Sequence, residues 1–281
     1  MAMYPSTEIV QRNTFTSGIE GPAMDAEGNL YAVSLRHEKP QTIGRVTPEG
    51  KAELFIVLPE GSMGCGIRID PRAGSMYVAD FTGHNVLQVE LATRTIKVYA
   101  HEDRMNQPND LAMTKSGVLF ASDPNWDASN GKLWRVDPGG VVMLLEDGMG
   151  TTNGIEVSPD ERTLYVNESV QRNIWAYDLS PSYGISNKRL FHHFEDDCLL
   201  DGMRCDMDGN LYVTKFGAGV IAQISPSGQL IREIKLSGKN CTNLTFGGGD
   251  GRDCYVTISD HGNIERFQVE VPGRCWAMWN I

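Results

Sequence analysis

The chain lacks any apolar run of 18 residues, so no part of it is expected to cross a membrane as a helix. Its opening residues, Met1-Ala2-Met3-Tyr4-Pro5-Ser6, lack a basic region followed by an apolar core, and no secretion signal is expected there. Cysteine is scarce. Cys65, Cys198, Cys205, Cys241, Cys254 and Cys275 include no C-x-x-C pair and are too sparse for a disulfide framework. They read as buried thiols in a reducing compartment, which makes the expected location cytoplasmic. Positive charge is also short. Against 36 Asp and Glu stand 25 Lys and Arg, a formal net charge of -11 that repels nucleic acid and anionic membrane and suits a cation. No G-x-S-x-G elbow and no Gly-rich phosphate loop ending in Lys-Ser or Lys-Thr is present. None of the six histidines is placed as a ligand, and Cys65 reads as a packed thiol rather than a nucleophile.

What is present is glycine, 30 residues of it, and a repeat. Tyr31, Tyr77, Phe120, Tyr165, Tyr212 and Tyr255 recur every 43–47 residues. Each opens a strand that returns from a hairpin. The clearest copy runs from Leu199 through Asp201-Gly202-Met203, turns at Asp208-Gly209, and returns over Leu211-Tyr212-Val213. A third strand follows in every copy, such as Leu133-Trp134-Arg135-Val136, and a fourth in five of them, such as Ile96-Lys97-Val98-Tyr99. Four strands per period is the pattern of a propeller blade, and six copies predict an all-β, six-bladed β-propeller occupying residues 1–281 as one domain. The sixth copy lacks its outer strand. Glu8-Ile9-Val10-Gln11-Arg12 is expected to supply it, closing the ring and covering a sheet edge. The apolar tail Cys275-Trp276-Ala277-Met278-Trp279 is expected to pack on the body.

First strands of propeller blades line the central channel. Eleven or twelve residues before each aromatic stand Glu20, Cys65, Asn109, Asn153, Asp201 and Asn243, which should form a ring at one end. Two carboxylates and three carboxamides share that ring with no Lys or Arg. Burying two carboxylates together is costly unless they are protonated or neutralised, and a divalent cation neutralises them. The donors are oxygens, which suit hard ions. Glu20, Asn153 and Asp201 are the expected ligands of one divalent cation, Ca2+ foremost, with Mg2+, Mn2+ or Zn2+ as alternatives. Three protein oxygens leave coordination open for water and substrate. A second ring, Ser34, Asp80, Asp123, Glu168, Lys215 and Ile258, leads into loops on the same face. Arg36, His37, His84, Asn125, Trp126, Lys215, Phe216 and His261 on those loops are the candidate rim.

Over residues 15 to 270 the chain resembles the gluconolactonase and senescence-marker-protein (regucalcin) family. The resemblance rests on Glu20-Gly21-Pro22, Pro108-Asn109-Asp110, Thr152-Asn153-Gly154-Ile155 with Ser158-Pro159-Asp160, and Asp201-Gly202-Met203 with Gly209-Asn210-Leu211-Tyr212. It implies a six-bladed propeller with one divalent cation in the channel, held by Glu20, Asn153 and Asp201. It further implies Asn109 against the metal-bound water or the substrate, and Asp201 as general base. Gln107 stands where some members carry Arg, so sugar recognition in the style of animal members is not carried over; Gln107, Asn109 and Trp126 are the candidate substrate contacts. The implied activity is opening of a sugar (aldono) lactone to its hydroxy acid, the cation polarising the carbonyl and Asp201 activating water. Esterase or phosphotriesterase chemistry in the same site, and a non-catalytic metal-binding interaction module, are the alternatives. The expected partner is a small lactone, with no nucleic acid or membrane.

Overall fold

The computed structural model describes residues 4–279. Among them 24 strands form six four-stranded antiparallel sheets, with one short helix, Arg274–Ala277, after the last. Five sheets take four consecutive strands each. The innermost strands are Ala23–Met24, Gly64–Asp70, Leu111–Met113, Thr152–Val157, Leu199–Cys205 and Cys241–Gly247, for blades one to six. This is the expected six-bladed propeller.

Burial follows position in the blade. Second strands such as Leu30–Val33, Ser75–Asp80 and Leu119–Asp123 are buried throughout, because neighbouring blades cover both faces. Outer strands such as Val141–Met149 and Leu230–Lys235 are largely solvated. The core is therefore six wedges, one per blade interface. Between blades one and two, Tyr31, Val33, Ile43 and Phe55 meet Ile67, Ile69, Val78 and Leu87. Between blades four and five, Tyr165, Ile174 and Ala176 meet Leu200, Met203 and Leu211. The periodic aromatics have a specific job here. Tyr31 packs edge-on to Phe55 at 4.9 Å and Tyr77 to Tyr99 at 4.8 Å, tying second strand to fourth within a blade.

The sixth blade is completed by the N-terminal segment. Its outer strand is Thr7–Glu8, with Thr7 opposite Arg266 and Glu8 opposite Glu265. This is shorter than the expected strand and begins one residue earlier. Ile9 N–H still donates to Ile264 O at 3.0 Å, but the chain then bends, and Asn13 (φ 64°) and Phe15 donate to His261 O and Gly262 O. Val10 and Phe15 are thereby buried in the wedge between blades six and one. The tail packs on the body as expected, with Cys275 and Trp276 against the core between blades five and six.

The inner strands are not regular. In blades two, four, five and six the register slips between Gly64 and Ile67, Thr152 and Ile155, Leu200 and Met203, and Cys241 and Leu244. Each of these bulges contains the ring residue and re-aims it. Space around the axis is tight. A Cβ at Gly154 would lie 2.4 Å from Asp201 O, and one at Gly202 would lie 2.0 Å from Asn243 Cγ. Gly21 and Gly66 are similarly pressed, against Cys65 O and Asp110 Oδ1. The glycine after a ring residue is the seat of the next blade's backbone or side chain.

Replacing Gly154 by Ala should therefore destabilise the fold by ~1–3 kcal/mol through overpacking, since its φ is one any residue can adopt. Gly249, which has open space around it, serves as the control and should tolerate Ala. Equal melting temperatures for the two variants would contradict the close-packed channel.

Candidate metal centre

Bulged inner strands bring the ring to one end of the channel. Glu20, Cys65, Asn109, Asn153 and Asp201 line one cleft of about 460 Å3. Asn243, the sixth ring residue, is buried behind it and donates to Glu20 Oε1 at 2.6 Å and to Asp110 Oδ2 at 3.3 Å. The bulges free backbone groups, and side chains of adjacent blades satisfy them. Asn167 Nδ2 donates to Asp201 O at 2.6 Å, Thr214 Oγ1 to Thr242 O at 3.0 Å, and Thr242 Oγ1 to Ile19 O at 2.9 Å. The ring is thus pinned from blade to blade.

The electrostatics of the cleft are those of carboxylates in excess. The Glu20 pKa is raised from 4.5 to about 7, first by burial and then by the charge of Asp110, against the hydrogen bond from Asn243. Asp201 is raised well above its usual value by burial, then by Glu20 and Asp110, while a hydrogen bond from Asn153 opposes the shift. Two further oxygens point to a ligand. Asn109 Oδ1 and Asn153 Oδ1 are buried and have no hydrogen-bond partner among the described residues. Two carboxylates and two orphaned carboxamide oxygens around one cleft fit a hard divalent cation; the soft atoms in the lining are the sulfurs of Cys65 and Met63, and no His joins them. Burial and the same three carboxylates push the Cys65 thiol up, so it is held protonated. Among the described residues no group of three or more His, Cys, Asp or Glu is placed to hold a metal ion, here or elsewhere, so a cation in this cleft would depend on the carboxamide oxygens as well as on the two carboxylates.

Beneath the ring lies a layer that sequence reading did not find. Three residues past a ring residue, beyond the bulge, stand Arg68, Glu156 and Arg204, all buried. Arg68 Nη1 donates to Asp110 Oδ1 at 3.1 Å and Arg204 Nη1 approaches Asp110 Oδ2 at 3.4 Å. The period-two rule of a regular strand misses this layer, because a bulge turns the usual offset of two into three.

The second ring mostly serves structure. Asp80 accepts from Met63 N, Asp123 from Asn106 N and Gln107 N, and Glu168 from Gly150 N, each clasping the segment that enters its own innermost strand. Lys215 is buried and paired to Asp196 and Glu233. Of that ring only Ser34 lines the cleft, and of the candidate rim only Trp126 and Phe216 do. Arg36, His37, His84, Asn125, Lys215 and His261 are not among the lining residues. Gln107 also stands outside the lining; its Oε1 accepts from Trp126 N at 3.2 Å and so holds the Trp126 loop. Met63 and Phe81, overlooked in the sequence, complete an apolar wall with Trp126 and Phe216.

Residues 16–260 match the family model described as the SMP-30/Gluconolactonase/LRE-like region, and the chain belongs to that family. A gluconolactonase from Zymomonas mobilis is 29% identical over 290 residues, covering 90% of this chain and 79% of that protein. A regucalcin from Danio rerio is 30% identical over 201 residues, 68% of each chain. The solved structure of a calcium-binding regucalcin from Agrobacterium tumefaciens superposes with a TM-score of 0.82 at 21% identity, covering 96% of this chain and 95% of that one, which shows the shared fold. No helix among the described residues is long and apolar enough to cross a membrane.

Folding raises the Glu20 pKa, so protonated Glu20 contributes stability that is fully present below pH 4.5 and lost as pH rises through about 7. With a chelator present, the melting temperature should fall from about pH 5 to about pH 8, and less steeply in Glu20→Gln. Saturating Ca2+ should remove the difference at the alkaline end. Parallel pH profiles for the two proteins would contradict the buried carboxylate pair.

Proposed function

We propose that this family member is a divalent-cation-dependent lactonase that opens an uncharged sugar lactone to its hydroxy acid. The observation that carries the reading is the convergence of Glu20 and Asp201 with the unpartnered Asn109 Oδ1 and Asn153 Oδ1 on one cleft. The names of the gluconolactonase and regucalcin relatives support the substrate class and a calcium-type ion. Glu20, Asn153 and Asp201 would hold the cation, which when bound supplies a Lewis acid for the lactone carbonyl.

The remaining chemistry belongs to the chain. Asp201 keeps part of its surface open to the cleft, where a carboxylate oxygen can accept a proton once a cation holds the group ionised. It takes a proton from water while the water oxygen bonds to the carbonyl carbon. The ring C–O bond then breaks, and the proton passes to the departing ring oxygen. Asn109 Oδ1 accepts from the attacking water or a substrate hydroxyl and fixes its direction. Trp126, braced by Gln107, stands with Met63, Phe81 and Phe216 where the apolar face of a sugar ring can pack and displace water. The only ionisable carboxylates in the lining are Glu20 and Asp201, and no Lys, Arg or His joins them. A phosphorylated or carboxylated lactone would find no counter-charge there, in a chain of net charge -11.

Aldonolactone hydrolysis followed by acid release should vanish after chelation and return with Ca2+, Mg2+ or Mn2+. Asp201→Asn should lower kcat by ~100- to 10,000-fold. A neutral aldonolactone should be hydrolysed in clear preference to its 6-phosphate. Full turnover by stripped protein or by the Asp201 variant would refute the mechanism.

A further inference from the structure

The opposite end of the channel holds an arrangement that the lactonase reading does not use. A small cavity of about 30 Å3 there is lined by Arg68, Glu156 and Arg204 of the inner strands and by Arg274, which enters from the C-terminal helix. All three arginines are at least 94% buried, at 6%, 1% and 3% exposure. Buried guanidinium groups are rare because each carries a large desolvation cost that only ion pairs and hydrogen bonds offset.

Here the offset is incomplete. Arg68 Nη1 and Arg204 Nη1 share Asp110, on the side of the carboxylate ring. Arg68 Nη2 donates to Ile155 O at 3.3 Å. Arg274 Nη1 approaches Glu156 Oε1 at 3.4 Å, and its Nη2 donates to Glu161 Oε1 at 2.9 Å. That leaves Arg204 Nη2 and Arg274 Nε, both buried and both without a hydrogen-bond partner among the described residues. Glu156 is the only carboxylate in the cavity wall, against three guanidiniums. The Arg68 pKa is lowered, by burial first and by the charge of Arg204 next, against the opposing charges of Asp110 and Glu156.

We propose that this closed end is a binding site for a small inorganic monoanion, chloride in solution, seated between Arg68, Arg204 and Arg274. A halide accepts from several N–H groups at once and puts negative charge among the three guanidiniums. A water molecule does only the first. The cavity is large enough for a single water-sized or halide-sized occupant. Because Arg274 belongs to the C-terminal helix while Arg68 and Arg204 belong to blades two and five, the anion would also staple that helix over the channel mouth.

Crystals of the full chain grown in bromide should show an anomalous scattering peak between the three guanidiniums. Without such a peak, or with an unscattering water in its place, the proposal fails. In solution, bromide or chloride should raise the melting temperature saturably, by ~2–4 °C or more, over isethionate at the same ionic strength. Arg274→Gln should lose that anion-specific shift. Identical melting in bromide and isethionate would overturn the site even if the variant proved too unstable to purify. Neither result depends on turnover, so the site stands or falls apart from the lactonase reading.

Discussion

The constraint on which the rest of the molecule depends is the narrowness of the channel. Six inner strands converge on one axis, and there is no room for a Cβ beside the neighbouring ring residue at Gly21, Gly66, Gly154 or Gly202. Gly66, Gly154 and Gly202 each lie within the bulge of their inner strand, and the bulge turns the preceding side chain toward the axis. Backbone carbonyls beside the axis find partners across the blade boundary. Asn167, Thr214 and Thr242 supply those bonds. Packing and site geometry are therefore one problem: whatever shifts a strand at the axis shifts a ring oxygen.

Charge along the channel is layered in consequence. Glu20 and Asp201 face the open cleft, Asp110 lies just behind them, and Arg68, Arg204 and Arg274 occupy the closed end. Asp110 joins the layers. It is fully buried, receives Arg68, Arg204 and Asn243, and adds repulsion to both cleft carboxylates. Arginine close beneath would by itself favour ionised carboxylates, yet Glu20 and Asp201 are both shifted upward. Burial and like charge win because the guanidiniums spend their hydrogen bonds on Asp110, Glu156 and backbone carbonyls rather than on the ring. The cleft is left with a need for positive charge that the protein does not itself supply.

Much of this was legible in the sequence because a propeller repeats. The aromatics from Tyr31 to Tyr255 set the period, and counting back from them found Glu20, Asn153 and Asp201 without any contact information. What was not legible depended on geometry the repeat does not encode. The i to i+3 offset that places Arg68, Glu156 and Arg204 in one layer exists only because of the bulges. Asp80, Asp123 and Glu168 read as a second ring leading into the loops of the open face, but their carboxylates turn back to clasp the backbone N–H groups of their own blades. Lys215 read as a possible cation at the rim and is instead neutralised by Asp196 and Glu233, two residues whose proximity no spacing rule reveals.

The division of labour between ring and loops follows from the same mechanics. Ring residues are fixed by bonds that cross blade boundaries, so moving one would disturb two blades. The wall residues Met63, Phe81, Trp126 and Phe216 lie on segments outside or at the ends of strands, where substitution costs little beyond local contacts. Trp126 illustrates the arrangement. It is held by one hydrogen bond from its own backbone to Gln107, not by the channel packing. A change at Gln107 would loosen Trp126 and reshape the cleft while leaving Glu20, Asn153 and Asp201 in place. The wall of the cleft can thus vary while the ring stays in place, and Gln107 bears on the cleft through the Trp126 loop it holds.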